Sequence, residues 1–261
     1  MAVSNTARQA YLSYKATFHW LNWPAYISNV VVRPMLAVTM FGLTARFARD
    51  EQAAVDVVVG MFAFSLLTIL MGGLLQSFFN ERSFGTLPFI FSATGGRLQH
   101  LLARGFLHYP NAILNVASGL LFAVLVLGME FGAARWPAVA VSMLTLALSC
   151  TLFGLFLANF CIVFRNWNYF MAIAQTGFLA LGGIVIPRTA LPVGLEEFSA
   201  VLPISHGLDG LRAAFAGDSF AKVANDLLIE LAVGLSYGGI GFLTFKTLES
   251  YARRSGAYDE I

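Results

Sequence analysis

The run VDVVVGMFAFSLLTILMGGLLQSFF, residues 55–79, decides the fold class. Its 25 positions hold one charged residue, Asp56. At a rise of about 1.5 Å per residue, a helix of this length exceeds the ~30 Å hydrocarbon core of a bilayer. The run therefore reads as transmembrane. The rest of the chain agrees: of 261 residues, 58% are hydrophobic and only 11% are charged, where soluble domains carry about 25% charged residues. Too little polar surface is available to cover a soluble globule, and intrinsic disorder needs the opposite composition. A net charge of +2 leaves no strong basic field, so nucleic acid is not expected as a partner. The expected surroundings are a lipid bilayer.

Outward from this run, five further apolar stretches complete a set of six expected spans, near residues 26–47, 55–79, 106–129, 137–164, 169–186 and 223–245. Paired small residues within them (Gly72-Gly73, Gly182-Gly183, Gly238-Gly239) favour close helix contacts. Before the first span, residues 5–22 read as an amphipathic helix on the membrane surface. Tyr11, Tyr14, Phe18 and Leu21 form one apolar stripe, while Arg8, Lys15, His19 and Asn22 line an adjacent polar one. Trp20 and Trp23 suit the interface just ahead of the span. The fold class expected is thus an all-α polytopic membrane protein forming a single domain over 1–261.

Six spans place both termini on one side. Arg8, Lys15, Arg82, Arg97, Arg104, Arg165, Lys246, Arg253 and Arg254 fall on that side with only four acids, whereas the opposite side carries six basic residues and nine acids. The Lys/Arg bias puts both termini in the cytoplasm of a protein of the inner (plasma) membrane. No cleavable signal peptide is expected, because the first 23 residues lack a continuous apolar core.

Small counts narrow the chemistry. None of the three lysines (Lys15, Lys222, Lys246) follows a glycine, so no phosphate-binding Gly-Lys loop is expected and ATP would have to be bound by another subunit. The four histidines and two cysteines form no metal-ligand spacing. Cys150 and Cys161 would lie about 16 Å apart along one helix, too far for a disulfide; they read as buried packers. Eight phenylalanines along the spans (Phe62, Phe64, Phe78, Phe79, Phe153, Phe156, Phe160, Phe178) read mostly as lipid-facing packing, with a pathway lining as the other reading.

Two connections are too long for turns. FNERSFGTLPFIFSATGGR, residues 79–97, follows the second span, and IPRTALPVGLEEFSAVLPISHGLDGLRAAFAG, residues 186–217, follows the fifth. The first combines packing side chains (Phe84, Leu87, Phe89) with polar ones (Glu81, Arg82, Arg97). The second is apolar enough to dip into the bilayer, where its backbone must be helical or packed on the spans. His206, Asp209 and Arg212 stand at three-residue steps on one face of such a helix. Gate closure or headgroup contact is one reading, and local helix-surface hydrogen bonding the other.

Glu81-Arg82, Gly85-Thr86-Leu87 and the following Arg97 resemble the signature of type-2 ABC transporter permeases. So do Gly183 with IPRTALP, and LPISHGLDGLR, which is similar to a Leu-Pro-x-x-His/Tyr-x5-Arg pattern. Ser83 and Pro88 stand where many members carry further acids. The resemblance covers nearly the whole chain. It implies that residues 80–98 form a cytoplasmic coupling helix, with Glu81, Arg82, Gly85, Thr86, Leu87 and Arg97 facing the ATPase. It implies that residues 187–217 form an external re-entrant helical hairpin, a gate containing Pro203, His206, Asp209 and Arg212. It further implies a second permease chain, identical or related, meeting this one along spans one and five. Separate ATP-binding cassette ATPase subunits would supply ATP and magnesium, with no cofactor in this chain.

Two ionisable residues fall inside expected spans, Arg33 and Glu230. Charge at membrane depth is costly and usually faces protein or a water-filled path. A mutual pair is one reading; snorkelling of each to its nearer interface is the other. The expected function is the transport subunit of an exporter, not an enzyme, for a drug, antibiotic or lipid-like passenger. A polysaccharide or glycoconjugate is the alternative passenger. An intramembrane enzyme is the alternative of another class, although the spans offer it no convincing nucleophile or metal cluster.

Overall fold

The computed structural model describes residues 23–48, 50–86, 89, 105–162, 164 and 166–255. The expected surface helix over 5–22 and most of the expected coupling segment, Leu87 and Arg97 included, lie outside the described residues, as does Arg165. The described chain is helical. Helix α1 runs Trp23–Ala48, α2 Glu51–Ser83, α3 Tyr109–Leu125 and α4 Trp136–Ala158. Helix α5 runs Trp167–Leu181, followed by two short helices, α6 Leu195–Val201 and α7 Ser205–Phe215. Helix α8, Phe220–Ser255, closes the order.

Four of the six expected spans, in α1, α2, α4 and α8, are long and apolar enough to cross a membrane. The segments around α3 and α5 are shorter, 17 and 15 residues, or about 26 and 23 Å of helix. Each stops early for a local reason. After Leu125 the chain turns through Gly128, which has φ +63°, and after Leu181 through Gly183, which has φ +78°. A left-handed φ suits glycine and ends an α-helix.

Helix α2 is the centre of the molecule. Asp50 caps its start by accepting from the Ala53 N–H at 2.7 Å. Phe62, Leu67, Leu70, Met71, Leu74, Leu75 and Phe78 are almost fully buried. They are covered by α1, α3, α4, α5 and α7. A helix apolar all round is what such a central position requires.

A second seam joins α4 to α8. It closes because Gly234 lets the backbones meet: a Cβ there would stand 2.7 Å from the Ser149 hydroxyl. Lower down, the Asn159 amide donates to the Gly241 carbonyl at 2.6 Å. Of the eight phenylalanines named above, Phe62, Phe78, Phe153 and Phe178 are buried within the bundle, so lipid-facing packing does not hold for these four, while Phe64, Phe79, Phe156 and Phe160 are half-buried. Phe153, for example, packs edge-on against Phe178 and Tyr237 at 5.2 and 5.0 Å between ring centres. Cys150 and Cys161 are buried free thiols, as expected.

Candidate functional site

Three arrangements bring the candidate residues into play. The first is the α6–α7 pair. Ile204, between the two helices, has φ +96°, a backbone conformation that a β-branched residue adopts only under constraint. The constraint is Glu230 of α8. Its two carboxyl oxygens accept from the Ile204 N–H at 2.8 Å and the Gly207 N–H at 3.0 Å. Glu230 is 0% exposed. Two of the orphan donors at the start of α7 are thus satisfied by one side chain from another helix. Gly207 is required for this fit, since a Cβ there would lie 2.8 Å from Glu230 Cγ and 2.5 Å from Leu146 Cδ2.

Above this clamp a basic residue links the loop to α7. Arg188 pairs with Asp209 at 3.2 Å and meets the His206 ring at 3.1 Å from Nε2. Burial pushes the Asp209 carboxyl above the usual carboxylate range, opposed by the neighbouring Arg188 and Arg212 guanidinium groups. Arg212 turns elsewhere. Its Nε and Nη2 donate to the Asp56 carbonyl at 3.2 Å, and Nη2 to the Ile184 carbonyl at 3.0 Å. It therefore fastens α7 to the first turns of α2 and to the irregular stretch after α5. Pro203 is buried at the α6–α7 corner. Sequence reasoning grouped His206, Asp209 and Arg212 but missed Arg188 as their partner. The available signal was a basic residue enclosed by the two prolines of IPRTALP.

The second arrangement ends α2. Gly85, at φ +64°, donates its N–H to the Arg82 carbonyl at 3.0 Å, and Thr86 donates to the Glu81 carbonyl at 2.9 Å. This is a Schellman turn, with glycine at the left-handed position. The Thr86 hydroxyl also bonds the Glu81 carboxyl group, and Glu81 is only 5% exposed. Glu81, Arg82, Gly85 and Thr86 therefore form one helix stop. This corrects an expectation: Phe84 and Phe89, expected to pack, are exposed beside the stop, while Glu81, expected as a polar contact, is buried in it.

The third arrangement is a cavity of about 490 Å³ between α1, α2, α3 and α5. Arg33 lines it. The structure does not bring Arg33 and Glu230 together, for Glu230 is committed to the α7 amides. Arg33 follows a π-helical turn, Ser28–Val32, closed by the Arg33 N–H on the Ser28 carbonyl. The wider turn re-aims carbonyls out of the α-helical ladder. Asn115 Nδ2 donates to the Asn29 carbonyl at 3.2 Å, and Ser118 to the Val30 carbonyl at 3.0 Å. The Tyr26 hydroxyl completes the α1–α3 junction by donating to Asn111 at 2.8 Å.

Long apolar helices around a cavity of mixed polarity, four of them long enough to cross a membrane, define a multi-pass membrane protein. The profile of the ABC-2 type transporter family matches residues 9–216, and the chain belongs to that family. No curated protein matches the sequence. Members of the family are membrane components of transporters, not themselves catalytic, and generally work with ATPase subunits.

Proposed function

We propose that this chain is the permease subunit of an ATP-binding cassette exporter in the inner (plasma) membrane. It spans the membrane six times with both termini in the cytoplasm, and it carries a drug, antibiotic or lipid-like passenger. Two such chains meet along the first and fifth spans, and separate ATPase subunits holding ATP and magnesium dock beneath. The observation that carries this reading, beside the family match, is the helix stop at Glu81–Thr86 on the end of α2. Because α2 is buried against five other helices, displacement of its end is felt throughout the bundle. Interiors packed to this density transmit strain instead of absorbing it.

In this mechanism the ATPase presses on the segment that follows Gly85. Movement of α2 reaches α7 through Arg212, which grips the Asp56 carbonyl at the far end of α2. Helix α7 and its partner α6 act as the external gate, and Glu230 holds the gate helix to α8. ATP drives transport only in so far as it binds one conformation better than the other. The test is co-purification with an ATP-binding subunit followed by ATPase measurement. Bound subunit and passenger-stimulated hydrolysis are expected, with stimulation lost in Glu81→Ala and Gly85→Ala. Absence of any bound ATPase, or stimulation untouched by both substitutions, overturns the reading.

A further inference from the structure

The cavity between α1, α2, α3 and α5 contains unspent hydrogen-bonding capacity of one kind. Arg33 makes no ion pair among the described residues, and no acidic side chain is among those lining the cavity. Asn115 is 4% exposed, and its Oδ1 has no hydrogen-bond partner. That oxygen's position is fixed by chemistry: the Asn29 carbonyl can only accept, so Nδ2 must face it, and Oδ1 is the atom left over. The Thr68 hydroxyl, also in the lining, is a second buried polar atom with no partner. Buried polar groups without partners are rare and call for an explanation. The rest of the lining mixes apolar side chains, Met61, Phe64, Ile69 and Met171, with neutral polar ones such as Ser65, Gln76 and Gln175. The volume lies within the range of small-molecule sites.

We propose that this cavity binds an amphipathic anion, with a phosphate-type headgroup on Arg33. A hydroxyl or N–H beside that headgroup donates to Asn115 Oδ1. The alkyl part lies along Met61, Phe64 and Met171. Three features converge on this chemistry. Arg33 is exposed where it lines the cavity and has no ion pair among the described residues, so its guanidinium is open to a counter-ion, and guanidinium suits phosphate through paired N–H donors. The orphan amide oxygen demands a donor, which a bare anion does not provide. The side chains of Met61, Phe64 and Met171 suit an alkyl tail. That the bound molecule is the passenger rests on the permease reading above; that it binds here does not.

The test uses the full chain in neutral maltoside micelles, with dodecyl phosphate as the probe and binding followed calorimetrically. Saturable binding at one site per chain is expected. Dodecyltrimethylammonium, of equal tail length and opposite charge, is expected to compete at least about tenfold less well. This comparison needs no variant, and equal competition overturns the proposal. Arg33→Gln is expected to weaken dodecyl phosphate at least about tenfold, with Arg33→Lys retaining most of the affinity. Unchanged binding in Arg33→Gln overturns it too. Two further arms identify the source of the anion. Competition by inorganic phosphate points to a soluble headgroup, and competition by phosphatidylglycerol in phosphatidylcholine nanodiscs points to a membrane lipid. The two readings fail separately. Charge-independent binding with ATPase coupling intact removes the anion site alone. Arg33-dependent binding with no ATPase coupling removes the transport reading alone.

Discussion

Replacing Glu230 by alanine strips the start of α7 of both its acceptors. The Ile204 and Gly207 N–H groups, now bonded at 2.8 and 3.0 Å, would be left in a site that is 0% exposed at Glu230. A buried donor left without a partner costs about 1–3 kcal/mol. Two of them cost roughly 2–6 kcal/mol, before any contribution from the space the side chain vacates. Part of that is recovered if α7 shifts, since Ile204 is released from a conformation at φ +96° that costs about 1–3 kcal/mol. At mid-range, about 4 kcal/mol is lost and about 2 kcal/mol recovered, so the net local loss is about 2 kcal/mol, or about 30-fold in an opening equilibrium. Amide hydrogen exchange of the Ile204–Gly207 segment reads this directly. Glu230→Ala is expected to speed exchange there about 30-fold, while the middle of α2 stays as protected as before. Glu230→Gln keeps one acceptor and is expected to fall between. Exchange in Glu230→Ala equal to that of the unaltered protein refutes the clamp.

Other perturbations follow from the same geometry. Gly60→Ala places a Cβ 2.3 Å from the Ile184 carbonyl oxygen and is expected to lower thermal stability in detergent by about 1–3 kcal/mol. Gly239→Ala, where a Cβ meets nothing within 4 Å, is expected to be neutral or to stabilise α8 by up to about 1 kcal/mol. Gly85→Ala puts a Cβ on a residue at φ +64° and is expected to cost about 1–2 kcal/mol, read as fraying of the last turn of α2 by hydrogen exchange. The Asp209 carboxyl is raised by burial, so the folded protein binds its proton more tightly than the unfolded chain does. Its contribution to stability therefore grows as pH falls through the raised value toward the ordinary value of about 3.9 and is lost as pH rises. Asp209→Asn is expected to flatten thermal stability against pH in that window.

Much of this architecture is legible in the sequence, because apolar runs of bilayer length have few other uses. The breaks are less so. Ile184, Val185 and Ile186 are as apolar as the helix before them, and only Gly182 and the left-handed Gly183 separate them from α5. The family motif at Glu81–Thr86 reads as a docking element in sequence, whereas its backbone shows it first to be a way of stopping a helix. Glu230 stands out in the sequence as an intramembrane acid, with pairing to Arg33 as one reading and snorkelling of each as the other. The actual partners are backbone amides, which every residue carries and no pattern of side chains advertises. Arg188 was hidden for a similar reason: its pairing with Asp209 and His206 depends on how the IPRTALP stretch folds back on α7. The cavity is assembled from the consecutive helices α1 and α2 together with α3 and α5, which follow much later in the chain. Its unpaired atoms emerge only when the hydrogen bonds around the π-helical turn of α1 are traced.

The central claim is that this chain forms a pathway driven by a separate ATPase. The most direct measurement is ATP-dependent movement of a fluorescent lipid-like amphiphile across proteoliposomes containing the chain and its ATP-binding subunit. Transport is expected with both subunits and ATP, and it is expected to fail when either subunit or ATP is omitted and in Gly85→Ala. Equal movement with the ATP-binding subunit left out would contradict the account.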